Sequence, residues 1–157
     1  MWKDYVDIFS ALLTPTIALI TTYIAIQQYR RERAKFRHEL YDRRLAVFKA
    51  ASKYLAIVTS YNTIIDTVQE EINAYNEFVA ANMESQFLFD KEDWLYLGNI
   101  HMTGTKRSMA RLMLRSDDPA SVKEYEQSLA EAAETHREQA MRLREVFVKY
   151  LDVKKLK

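Results

Sequence analysis

Three histidines, His38, His101 and His136, and an absence of cysteine set the range of chemistry open to this chain. A zincin needs His-Glu-x-x-His, so that two imidazoles share one helix face beside a carboxylate, and that run does not occur. Di-iron bundles use Glu-x-x-His pairs, and no Glu stands three residues before any of these histidines. Without Cys there is no thiolate zinc site, iron–sulfur cluster, disulfide framework or thiol nucleophile. Two glycines do not suffice for a phosphate-cradling loop, and no Gly-x-Ser-x-Gly elbow is present. Among carboxylates, Glu70 and Glu71 read as a solvated face rather than an acid–base pair. Glu131, Glu134 and Glu138 lie near His136, but His136 falls on an apolar helix face and reads as a packed, hydrogen-bonded core imidazole. The expectation is a protein that is not an enzyme and carries no cofactor or metal.

The elements that position these residues are helical. With only 2 Gly and 2 Pro in 157 residues, a many-turned β fold and a doubly wound α/β fold are both disfavoured. The 48% hydrophobic content excludes a disordered chain. Phe48, Ala51, Leu55, Val58, Ile65, Val68, Ile72, Tyr75 and Val79 recur at helical spacing, giving one amphipathic stripe with a bend expected at Tyr61-Asn62-Thr63 and an end near Asn82 to Ser85. Asp90 is expected to cap a third helix, with Asp93 as reciprocal cap and Phe89 stapled onto Trp94. Gly98 and Gly104 predict a break in that helix before Thr105. Asp118-Pro119 reads as cap and first helical residue of the last helix. That helix carries a near-heptad face of Val122, Tyr125, Leu129, Ala132, His136, Ala140, Leu143, Phe147 and Tyr150. The sum is an all-α chain whose C-terminal part, residues 31–157, is an antiparallel bundle of three to four helices.

Residues 1–30 read as a membrane anchor. From Ile8 to Tyr29 there are 22 residues without a charge, beyond the roughly 18 that mark a transmembrane candidate. Lys3, Asp4 and Asp7 precede the run, whereas Arg30, Arg31, Arg33, Lys35, Arg37, Arg43 and Arg44 follow it. By the positive-inside rule the N-terminus lies outside and the bundle in the cytoplasm, and the charge order is the reverse of a cleaved signal peptide. Pro15 predicts a kink. Ser10, Thr14, Ala18 and Thr22 repeat every four residues, a small-residue face suited to close helix packing and self-association. The basic residues after the run suit anionic lipid headgroups. Arg30 to Lys53 holds nine Lys/Arg against three acids, and Asp66 to Asp93 holds eight acids against one Lys. No nucleic-acid motif accompanies the basic stretch, so nucleic acid is not an expected partner. Asp42, Arg43 and Arg44 fit either a clamp on a phosphate or carboxylate or local ion pairing around Glu39, the second being favoured.

Gln28-Tyr29-Arg30, then Leu40-Tyr41-Asp42-Arg43-Arg44, then Phe87-Leu88-Phe89-Asp90 occur in an order that resembles a group of small bacterial membrane-anchored proteins of unknown function. The resemblance covers roughly the first hundred residues, and Asp93-Trp94 departs from its more apolar pattern. It implies a bacterial inner-membrane location and brings no catalytic residue. The resulting expectation is an inner-membrane-anchored helical module for protein interaction and oligomerisation, forming a homo-oligomer or meeting a cytoplasmic partner. The alternative is a small oligomeric pore or membrane-perturbing effector assembled through the N-terminal helix.

Overall fold

The computed structural model describes residues 2–60, 68–113 and 119–151, with side chains described at 13, 15–60, 68–113 and 122–151. Among the described residues every regular element is a helix: α1 (Trp2–Thr59), α2 (Val68–Asn82), α3 (Ser85–Leu88), α4 (Lys91–Met113) and α5 (Pro119–Val148). Internal contacts divide the chain into two units, one of residues 1–39 and one beginning at Leu40.

The first unit is the N-terminal part of α1, which runs on through Pro15 without a change of element. Its described apolar side chains, among them Leu13, Ile17, Leu19, Ile20, Ile24 and Ile26, are exposed. Thr21 Oγ1 donates to the carbonyls of Ile17 (2.9 Å) and Ala18 (3.0 Å), and Thr22 Oγ1 donates to that of Ala18 (2.8 Å). The Thr21 and Thr22 hydroxyls are therefore satisfied by their own helix. Among the described residues, no helix is long and apolar enough to cross a membrane. The side chains at the start of the uncharged run, Ile8 to Leu12, and that of Thr14 lie outside the described set.

The second unit is an up-down-up-down bundle of the C-terminal part of α1 with α2, α4 and α5. Arg43–Glu84 and Lys53–Glu77 ion pairs set α2 antiparallel to α1. Glu71–Arg107 and Tyr75–His101 contacts do the same for α2 and α4. Tyr150–Asp93 and Gln139–Thr103 bonds align α4 with α5, and Phe48–Phe147 and Tyr54–His136 close α5 onto α1. Arg43 and Lys53 of the basic stretch thus meet acids of the acidic stretch, so part of the charge asymmetry in the sequence is a register device. Both α1–α2 pairs are half-exposed, so each contributes at most about 1 kcal/mol.

The core is built from Val47, Ala51, Tyr54 and Leu55 of α1, Phe78 of α2, Leu97 and Ile100 of α4, and Leu143 and Phe147 of α5. The face expected on α5 is as expected: Ala132, His136, Leu143 and Phe147 are buried and the rest of the series is half-buried. The stripe expected on α1 holds through Val58, while the bend expected at 61–63 lies outside the described residues. Asp118 also lies outside them, and Pro119 begins α5.

Three expectations need correction. On α2 the buried side chains are Glu71, Ala74 and Phe78, and Val68 and Ile72 are exposed. The helix is turned about its axis relative to the apolar pattern because Glu71 forms ion pairs with α4. On α4 no break separates Gly98 from Thr105. Gly104 serves close approach instead: a Cβ there would lie 2.5 Å from Tyr75 Cε2 and 2.7 Å from the Tyr54 hydroxyl. At the start of α4, Trp94 N donates to the Asp90 carbonyl at 2.9 Å, which places Asp90 at the cap position. The reciprocal bond from Asp93 is replaced by Tyr150, whose hydroxyl accepts from the Asp90 backbone N–H (2.9 Å) and donates to Asp93 (2.7 Å). Phe89 packs on the rings of Phe147 and Tyr150 at the end of α5.

Candidate functional site

A polar layer crosses the bundle where α2 meets α4. Arg107 continues the buried face of α4 defined by Leu97, Ile100 and Gly104, and Arg111 follows one turn later. Opposite them stands Glu71. Its Oε1 is 2.9 Å from Arg107 Nε, and its Oε2 is 3.3 Å from Arg107 Nη2 and 2.9 Å from Arg111 Nη1. The side chains of Glu71 and Arg107 are only 10% and 8% exposed, and that of Arg111 is 22% exposed. Among the described residues, two guanidinium cations share one carboxylate, an excess of one positive charge. Glu71 is therefore not on a solvated face, as its sequence context suggested.

Two histidine–tyrosine pairs flank the cluster. The Tyr75 hydroxyl lies 2.9 Å from His101 Nδ1 and 2.9 Å from Thr105 Oγ1, and the Tyr75 and His101 rings stack. The Tyr54 hydroxyl is 3.4 Å from Nε2 of His136. Burial holds the Tyr54 phenol well above its ordinary value, and the Glu71 carboxylate pushes the same way. Burial, with Arg107 nearby, pushes His136 down to about 4, so this imidazole is neutral at neutral pH. The sequence reading of His136 as a core imidazole accords with this placement. A neutral imidazole against a protonated phenol is a hydrogen-bonding pair rather than an acid–base couple set for neutral pH.

Beside the cluster is a cavity of about 180 Å³ between α2 and α4. Val68, Ile72, Tyr75 and Leu112 give it apolar walls, and Glu71, Ser108 and Arg111 contribute polar ones. A wider, more open groove follows α4 and α5 past Thr103, Lys106, Tyr125 and Glu131. Among the described residues, no three His, Asp or Glu side chains converge on a position that could hold a metal ion.

The residues singled out from sequence lie elsewhere. Ala18 and Thr22 are on the exposed stretch of α1, while the side chains of Ser10 and Thr14 are outside the described set. Arg30, Arg31, Arg33 and Lys35 are exposed and Arg37 is half-buried. Arg43 pairs with Glu84 at 3.3 Å. Arg44 donates from Nε to the Leu88 carbonyl (2.8 Å) and lays its guanidinium 4.7 Å from the centre of the Tyr150 ring. The Glu71–Arg107–Arg111 cluster was missed. Its one visible signal was that Arg107 and Arg111 continue the helical period of Leu97 and Ile100, which makes a charged residue fall on a buried face.

No family model, curated protein or solved structure matches the chain.

Proposed function

We propose that this chain is a membrane-anchored helical interaction module. The observation that carries the reading is a contrast within α1. From Leu13 to Tyr29 its apolar side chains are exposed, whereas from Val47 to Val58 the same helix contributes the core of a bundle. A bundle with its own core needs nothing from that apolar stretch, so the exposed face is available to lipid or to another helix. The self-bonded Thr21 and Thr22 hydroxyls support lipid contact, since a polar group in hydrocarbon must be satisfied internally. The exposed Arg30, Arg31, Arg33 and Lys35 then sit at anionic headgroups on the cytoplasmic side of a bacterial inner membrane. Ser10, Thr14, Ala18 and Thr22 provide a contact for a homo-oligomer, and the bundle is free to meet a cytoplasmic partner.

Extraction tests the anchor. The full chain should stay in the membrane pellet through alkaline carbonate and leave with detergent. Protease added outside intact spheroplasts should spare a C-terminal tag. Release by carbonate alone overturns the span, and loss of the tag from outside reverses the topology.

A further inference from the structure

The cavity beside Glu71 combines two properties that jointly define a ligand. Its body is apolar, walled by Val68, Ile72, Tyr75 and Leu112. Arg111 also lines it, and among the described residues Arg111 and Arg107 outnumber the single Glu71 carboxylate two to one. A positive charge removed from water is costly unless an anion accompanies it. Guanidinium presents five donors in a planar fork, and the ion pair to Glu71 engages Arg111 through Nη1. Ser108 also lines the cavity, and a serine hydroxyl can donate or accept. The volume of about 180 Å³ compares with the roughly 150 Å³ of a dry protein cavity that admits benzene. There is room for one compact ring or a short branched chain.

We propose that this cavity binds a small monocarboxylate with a compact apolar body, its carboxylate on Arg111 and Ser108 and its body between Ile72 and Leu112. The bound anion neutralises the excess charge of the Glu71–Arg107–Arg111 cluster and draws α2 and α4 together. The site belongs to the bundle alone and stands or falls independently of the membrane reading.

Calorimetric titration of the full chain in lipid nanodiscs tests this, with benzoate, benzyl alcohol and inorganic phosphate as probes and empty nanodiscs as blank. Benzoate should bind at least about tenfold more tightly than benzyl alcohol, equivalent to roughly 1.4 kcal/mol, and more tightly than phosphate. Arg111→Met leaves the Glu71–Arg107 pair intact and should reduce the benzoate-to-alcohol ratio to near one. Ile72→Trp, at a partly exposed position on the cavity wall, should fill the cavity, leave the ion pairs in place, and abolish binding of both aromatic probes with unchanged helicity. The Ile72 variant keeps the test decisive should the Arg111 variant fold poorly. Equal affinity for acid and alcohol, phosphate binding as tight as benzoate, binding indifferent to Ile72→Trp, or no benzoate binding to the wild type overturns the proposal.

Discussion

Tyr54 on α1 and His136 on α5 meet in the sealed centre of the bundle, phenol oxygen 3.4 Å from Nε2 and the two rings perpendicular. Both side chains are almost wholly removed from solvent. The imidazole sits under the positive field of Arg107, and burial disfavours its charged form. The contact therefore depends on a neutral histidine.

That dependence gives the bundle a pH profile. His136 titrates near 4 in the folded chain against an ordinary value of 6.5. Its contribution is complete above pH 6.5. Below that the unfolded chain takes up a proton that the folded chain refuses, and stability falls until the pH reaches about 4. The loss accumulates to on the order of 3 kcal/mol. Urea unfolding of the full chain in detergent, compared with His136→Leu, should show the wild type losing this amount relative to the variant across that window. Parallel profiles would remove His136 as the source.

Substituting Glu71 should destabilise far more than substituting its neighbour. Glu71→Gln leaves two guanidinium groups without their counterion, an effect of roughly 3–5 kcal/mol for a buried pair. Glu70 is exposed, and Glu70→Gln should stay within about 0.5 kcal/mol of wild type. Denaturant midpoints of the two variants check the contrast. Equal midpoints would mean that the cluster is solvated after all.

The two glycines of α4 should respond with opposite sign. At Gly104 a methyl meets Tyr75 and Tyr54 inside van der Waals contact, and Gly104→Ala should cost about 1–3 kcal/mol. At Gly98 nothing lies within 4 Å of the added carbon, and Gly98→Ala should stabilise the helix by roughly 0.5–1 kcal/mol. Thermal melts should move down for the first and up for the second.

Self-association should centre on Ala18, whose carbonyl accepts the Thr22 hydroxyl. With that hydroxyl engaged within its own helix, the contact rests on close packing of small side chains. Ala18→Ile should reduce cross-linking in membranes, while Leu19→Ile, which conserves volume, should leave it unchanged. Equal cross-linking of wild type and both variants places the contact elsewhere. No cross-linking of any, with a monomer mass in detergent, rejects self-association.

Local information in the sequence was enough for the helices themselves. Scarce Gly and Pro, the period of Ala51, Leu55 and Val58, the heptad-like face from Val122 to Tyr150 and Pro119 at the start of α5 each report on a few neighbouring residues. Backbone propensity and one-sided burial act at that range, which is why the antiparallel bundle was legible. The rotation of α2, the continuity of α4 and the partners of Asp93 and Phe89 were not. Glu71 is buried because Arg107 and Arg111 arrive from another helix, and nothing within a turn of Glu71 announces them. Gly104 interrupts a helix by propensity and supports one in place, because Tyr75 and Tyr54 approach its backbone from α2 and α1. The sequence alone determined that the chain is helical and which faces of the bundle part of α1 and of α5 are apolar. Tertiary packing decided which charges go inside, because the cost of burying a charge is offset only by a partner that the fold brings from far along the chain.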